Sequence, residues 1–373
     1  MTARILAMGA VALSALALQA QAAPAPASAP AATAITAPAA TKPAPKPATC
    51  SRACLVGVMD RWIDALSAHS ARGLPLAANV RFTEQAAAIP VGDGLFVSTT
   101  QGPTAFKIVL ADPTSGQVGF FGVIKQWDKP VLLAARLKVV GGRITEAEHV
   151  IAPDLRPTSM ANLETPRPAL LEDVPAGHRT PRARMLAIAN SYFDSIEQDD
   201  GDVAPYADDC VRHENGMQTT TNKTPAPTPL DAANPGQSSA FAKLAPLGCR
   251  DAMNSHVLQY ITMIRPRHML IVDEQKGVVF GFPRFVHRGN VREMKIVGVP
   301  GVDTMPMNFG PNDLQAAEMF KITDGKIHEI EASGFINAYM APTGWDAQYP
   351  ERYKYATTHP KTHPHKAGTT SKW

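Results

Sequence analysis

Two stretches of the chain repeat one pattern of apolar and polar positions. Leu55, Val58, Met59, Trp62, Ile63 and Leu66 recur at three- and four-residue intervals, and so do Met185, Ile188, Ala189, Tyr192, Phe193 and Ile196. That spacing lines one face of a helix. Trp62-Ile63-Asp64 and Tyr192-Phe193-Asp194 fall in register. Each predicted helix is followed by a turn, a small apolar piece and a short strand ending in Glu, "RFTEQ" and "RHENG". The pattern then becomes strand-like. "GQVGFFGVI", "PVLLAARLKVV" and "GRITEAEHVI" read as three strands, with a turn around Asp128-Lys129-Pro130. "GVVFGFPRFVHRG", "QAAEMFKIT" and "GKIHEIEAS" repeat the order. Asp324-Gly325 is a strong hairpin signal and Gly141-Gly142 is its counterpart. A helix followed by antiparallel strands must bury one sheet face against that helix, which predicts an α+β layer, made twice.

This order resembles the SnoaL-like, or nuclear-transport-factor-like, fold: a cone of curved antiparallel sheet around helices, shared by ketosteroid isomerase and scytalone dehydratase. The C-x₃-C-L opening at Cys50, "NVRFTE", "VGFFGV", "DDCVRHENG", "VDEQKGVVFGF" and "FKITDGKIHEIEA" are similar to a family of secreted two-domain proteins of fungi and bacteria that carries a domain of unknown function. The resemblance runs from about Cys50 to Trp345. It implies tandem cone-shaped α+β barrels and no established activity. The expected organisation is residues 50–152 for the first cone, 153–183 for a linker and 184–345 for the second cone. The stretch Thr219–Pro235, rich in Thr, Pro and Ala, is an insertion.

The N-terminal residues change the picture of compartment. Arg4, the uncharged apolar run Ile5 to Leu18 and Ala20-Gln21-Ala22 form a signal-peptide pattern over residues 1–22, too short to span a bilayer. Residues 23–49 are Ala, Pro, Thr and Lys and have nothing to bury, so a tether is expected. Residues 346–373 read as a fraying tail; His359, His363 and His365 there lack a carboxylate or Cys at ligand spacing, and no metal is expected. An exported chain, periplasmic or secreted, with an even number of cysteines suggests disulfides. Local pairing joins Cys50 to Cys54 and Cys210 to Cys249, although four cysteines allow three pairings. With 36 Lys+Arg against 33 Asp+Glu the net charge is +3, and no basic run stands out, so nucleic acid is not an expected partner. A small-molecule ligand is, and the chain is compatible with a homodimer.

Candidate chemistry concentrates in the second copy. Alternation puts Cys210, Arg212 and Glu214 on one strand face, against Val80, Phe82 and Glu84 in the first. Glu214 is the candidate base, with Arg212 orienting it or holding an anion; the structural alternative is an ion pair that fixes the strand to the helix. His213 faces away if the alternation holds and joins the site as a substrate contact if the strand bulges. Tyr192 on the helix is a candidate substrate contact. Tyr260, Arg265, Arg267 and His268 are expected at the end of an apolar helix stopped by Pro266. They would form an anion- or hydroxyl-binding rim with Tyr260 or His268 as proton donor; favourable charge at a helix C-terminus is the simpler account. The first copy offers Glu84 in a more apolar setting. The stretch from His287, with Met305, Met307, Asn308 and Phe309, interrupts the second sheet and reads as a lid or a packing loop. No G-x-S-x-G, H-E-x-x-H, G-x-G-x-x-G or P-loop pattern occurs. The reading is a cofactor-independent lyase or isomerase working by acid–base chemistry, or alternatively a non-catalytic small-ligand-binding or envelope scaffold protein.

Overall fold

In the computed structural model, which describes residues 50–225, 235–307 and 309–347, the six apolar positions of the first repeat are the buried stripe of α1 (Arg52–Ser67). Ser51 caps that helix by accepting from the Cys54 N–H, and Cys50 is bonded to Cys54 beside it. The chain continues through β1 (Leu76–Glu84), β2 (Ala87–Ala88), the short helix α2 (Leu95–Ser98), β3 (Thr99–Gln101), β4 (Lys107–Asp112), β5 (Gln117–Gln126), β6 (Lys129–Val140) and β7 (Arg143–Ala152). These strands form one sheet, in the order β2-β1-β7-β6-β5-β3, with β4 also on β5. β1 and β7 are parallel; the hairpins are antiparallel.

The second half repeats the order. Helix α5 (Arg182–Gln198) buries all six positions of its predicted stripe. Then come β8 (Tyr206–Glu214), β9 (Met217–Gln218), α6 (Pro235–Leu244), α7 (Cys249–Asn254), β10 (Met263–Ile264), β11 (Met269–Asp273), β12 (Val278–Gly281), β13 (Arg284–His287), the hairpin β14 (Glu293–Lys295) and β15 (Thr304–Pro306), β16 (Asn312–Thr323) and β17 (Lys326–Ala338). The large sheet runs β10-β13-β16-β17-β8-β9, with β12 on β16 and β11 on β12. β8 lies parallel to β17 as β1 does to β7, and β16 holds the place of β6. The stretch read as one strand, "GVVFGFPRFVHRG", is broken into β12 and β13 at Phe282-Pro283, because proline has no N–H for the ladder. The result is a mixed α+β structure with strongly curled half-barrel sheets and few helices.

The inner face of each sheet packs on its own helix, giving two separate cores. The outer faces pack on each other through a third: Phe106, Phe121 and Leu132 from the first sheet meet Phe280, Phe282 and Met319 from the second. Two reciprocal ion pairs close this seam. Arg52, first residue of α1, grips Asp273 of β11 through two bonds of 2.7 Å, while Arg182, first residue of α5, grips Asp112 of β4 at 2.9 and 2.6 Å. Each aspartate also accepts a backbone N–H from the other half, Asp273 from Ala111 and Asp112 from Val272, both at 3.0 Å. Bidentate geometry plus a third bond satisfies these buried carboxylates.

Residues 153–183 are more than a spacer. They form the short helices α3 (Pro157–Asn162) and α4 (Pro168–Leu171) and a 3-10 turn (Ala176–His178). Arg167 pairs with both Glu329 and Glu331 on the outer face of β17. At the other end Trp345 lies over the Arg136 guanidinium, 4.7 Å from it, and donates to Thr83 at 2.8 Å. The expected signal peptide, the tether, His359, His363 and His365 lie outside the described residues.

Candidate functional site

Strand β8 brings Arg212 and Glu214 to the inner face of the second sheet, where they are paired. The pair opens onto a cavity of about 450 Å³. Its walls include the apolar Leu258, Phe285, Phe309 and Leu314; its polar groups include Arg212, Glu214, Tyr260, His287, Asn312 and Glu318. Alternation on β16 explains the last two, since Asn312, Leu314, Ala316 and Glu318 share one face. Few polar groups on apolar walls is the usual make-up of a small-molecule site.

Glu318 is the most perturbed acid in the cavity. Its side chain is 1 % exposed, and its Oε2 has no hydrogen-bond partner among the described residues. Burial raises its carboxyl to about 8; Arg212, 4.0 Å away, draws it down and Glu214 pushes it up. A protonated carboxylic acid at neutral pH is the consequence. Burial alone lowers the Arg212 guanidinium, but Glu214, Tyr192 and Glu318 around it raise it above its ordinary value. The Arg212 Nε donates to the Tyr192 hydroxyl at 2.6 Å, which holds the guanidinium from behind. Burial, reinforced by Glu214, also raises the Tyr260 phenol.

His287 is 5 % exposed, and burial lowers its pKa against the opposing effects of Asn312 and Glu214. Its Nδ1 lies 2.9 Å from Asn312 Oδ1, and its Nε2 has no hydrogen-bond partner among the described residues. Neither Glu318 nor His287 was singled out from sequence. The missed signal was the alternation itself: Glu318 shares its strand face with Leu314 and Ala316.

Several expected members of the site are elsewhere. Tyr260 does line the cavity, but it follows α7 in a turn, and the residues after it form β10, so the expected apolar helix ending at Pro266 is absent. β-branched Ile261, Thr262 and Ile264 suit an extended edge paired with β13. Arg265 and Arg267 are not a rim. They reach α5, Arg265 to Glu197 at 3.0 Å and Arg267 to Asp194 at 2.7 Å and Glu197 at 3.0 Å, with Arg267 also over the Phe193 ring. Helix-end acids 70 residues earlier in the chain answer these charges, which local sequence does not reveal. His268 is buried, and its backbone carbonyl accepts from Phe282 outside the cavity lining. His213 faces the outer side, paired across the sheet with Glu331; burial first, then Arg167, lowers it to about 3.

The equivalent interior of the first half is filled. Trp62, Phe82 and Phe96 meet edge to face, with centroids 5.2–6.2 Å apart. Glu84 is not left against bare apolar walls. It accepts from the Leu95 N–H at 3.1 Å and from His149 Nδ1 at 3.0 Å, while Trp62 donates to His149 Nε2 at 2.9 Å. Gly94, at φ +64°, makes room for that carboxylate, which a Cβ would strike.

The sulfurs of Cys210 and Cys249 are bonded at 2.04 Å, tying β8 to the start of α7 two residues from Arg212. The interrupting stretch, with β14, β15 and Met307, packs with Leu244 and Tyr260 into a small core of its own; Asn308 lies outside the described residues. A wider, open groove of about 730 Å³ runs along the seam between the halves, but its cations Arg52 and Lys276 are held by Asp273 and Asp173. Among the described residues no cluster of three or more His, Cys, Asp or Glu is placed to hold a metal ion.

Residues 178–334 match the model of a domain of unknown function, DUF8021, a span that contains every cavity-lining residue except Ile336. No curated protein matches the chain. Among solved structures, AclR, a candidate hydroxylase from Streptomyces galilaeus, is similar at 13% identity over 47% of this chain and 91% of its own, with a TM-score of 0.23.

Proposed function

We propose that the protein is an exported, cofactor-independent acid–base enzyme of the lyase or isomerase type, built as two tandem SnoaL-like cones, with its site in the second. The observation that carries this reading is the cavity that sets a protonated Glu318 opposite the Arg212–Glu214 pair. Two carboxyl groups with different environments can divide the acid and base roles. Glu214 takes a proton from carbon beside a carbonyl, Arg212 stabilises the charge that develops, and Glu318 delivers a proton to the enolate oxygen or to a leaving hydroxyl. Loss of water balances: one proton is taken and one is given. Tyr260 is a second hydrogen-bond donor to the substrate. The duplication is supported by the matching strand orders and the reciprocal arginine–aspartate pairs. The boundaries proposed are residues 50–152 and 184–345. Export is supported by the two disulfides, and among the described residues no helix is long and apolar enough to cross a membrane.

The test is mass spectrometry of small molecules released from the purified protein, followed by turnover of what is found. Glu318→Gln and Glu214→Gln are expected to fold and to lose about 10²–10⁴-fold in rate, the usual range for a general acid or base. Normal turnover in both variants sinks the roles given to Glu214 and Glu318, and no turnover of any released molecule by the unsubstituted protein sinks the enzyme reading and leaves the binding protein.

A further inference from the structure

His287 stands apart from the Arg212–Glu214–Glu318 group. It lies on β13, opposite Asn312 of β16, and both side chains face the cavity beside Tyr260 and Phe309. Asn312 decides which ring nitrogen carries the proton. Its Nδ2 donates to the Gly310 carbonyl at 3.0 Å, so the side-chain oxygen must be the atom that faces His287 Nδ1 at 2.9 Å. An amide oxygen only accepts, so Nδ1 must donate. In a neutral imidazole the other nitrogen then carries a lone pair and no proton. Nε2 is that atom; it is buried and has no hydrogen-bond partner among the described residues. A buried acceptor left unpaired is costly, and a ligand that supplies a donor recovers the loss.

We infer that Nε2 of His287, oriented by Asn312, is a fixed hydrogen-bond acceptor that selects ligands carrying a hydroxyl on a largely apolar ring body. This rests on the proposed function only in taking the same cavity as the site; it adds the chemical class of the substrate. The aromatic and aliphatic walls take the ring, and the hydroxyl points toward β13. A site with a bare acceptor discriminates most against the analogue whose hydroxyl is capped, because the acceptor then stays unpaired. Asn312 acts through His287 and is a positioning residue.

The probes are 2-naphthol and 2-methoxynaphthalene, titrated calorimetrically into the full-length protein. 2-Naphthol is expected to bind roughly tenfold tighter than the ether, as an unpaired buried acceptor predicts. His287→Phe keeps a ring and loses the acceptor, and is expected to bind both probes within about twofold. Asn312→Leu releases the tautomer and is expected to reduce the preference. Asn312→Asp still offers an acceptor to Nδ1 and is expected to retain it. ¹⁵N NMR of the histidine rings in the unliganded protein reads the tautomer with no ligand and no variant, and a proton on Nε2 overturns the inference outright. Equal affinity for the two probes in the unsubstituted protein also overturns it. Ala316→Phe, checked by its melting curve, narrows the cavity. If it abolishes binding that shows no hydroxyl preference, the cavity stands and the His287 inference fails. If binding survives Ala316→Phe, or neither probe binds at all, the cavity reading fails together with it.

Discussion

The two halves set nearly the same strand order around very different interiors. In the first, Trp62, Phe82 and Phe96 fill the space between helix and sheet, and the one buried imidazole there, His149, is bonded on both nitrogens. In the second, Tyr192 takes the place of Trp62 and Arg212 the place of Phe82, and the space beyond them stays open. The position equivalent to Ala135 on β6 is Glu318 on β16, by the pairing of Arg136 with Glu148 and of Met319 with Glu331. A handful of side chains thus separates a packed core from a polar cavity. The two halves pack back to back through a shared apolar core and the Asp112 and Asp273 ion pairs.

That contrast can be broken most severely at the seam. Asp273→Ala strands the Arg52 guanidinium and the Ala111 N–H, and Asp112→Ala does the same to Arg182 and the Val272 N–H. Each is expected to cost about 3–5 kcal/mol, the range for breaking a buried pair from one side. Urea unfolding measures it, and similar losses at the two sites confirm the reciprocity. Trp62→Ala is expected to cost a similar ~3–5 kcal/mol because it empties a packed core. Removing the Cys210–Cys249 bond, as the double alanine variant, is expected to cost about 3–4 kcal/mol in the chain-entropy model and to fall on the second half alone. Native-state hydrogen exchange resolves where the loss falls.

A smaller effect sharpens the comparison through pH. Burial raises Glu318 to about 8 in the second half, and burial against the pull of Arg136 leaves Glu148 at about 7 in the first. Above the ordinary carboxylate range near 4.5 the unfolded chain ionises these groups while the folded chain keeps them protonated. The unfolded state then binds fewer protons, so stability falls as pH rises toward 7 and 8. Glu318→Gln is expected to flatten the decline over its whole range up to about pH 8 and Glu148→Gln only the part below about pH 7, as read from urea midpoints between pH 5 and 9. The smallest effect belongs to Arg265→Ala. Its charge is part-exposed and pairs with Glu197, and about 0–1 kcal/mol with unchanged ligand binding is expected.

Much of this frame was legible in the sequence. The helix stripes at Leu55 and Met185 and the turns at Gly141-Gly142 and Asp324-Gly325 are local signals, and local signals set helices and hairpins. The inward pairing of Arg212 with Glu214 followed from alternation alone. What stayed hidden was set by distant partners. Arg265 and Arg267 looked like a rim because Asp194 and Glu197 are remote in sequence, and Arg167 looked like linker because Glu329 and Glu331 come much later. Glu318 and His287 were missed although alternation puts them on the faces of Ala316 and Phe285, because a polar residue in an apolar strand reads as outward-facing. The extended edge at Met263 was mistaken for a helix because an apolar run that short does not distinguish the two.

The central claim is that the second half holds a protonated acid in an open cavity where the first half holds packed rings. It is tested most directly by following every glutamate carboxyl in ¹³C-labelled protein by NMR across the pH range, with Glu318→Gln and Glu148→Gln to assign the signals. The expected result is a carboxyl still protonated at neutral pH that titrates near 8, vanishes in Glu318→Gln and persists in Glu148→Gln. A Glu318 signal that has fully ionised by pH 6 contradicts it.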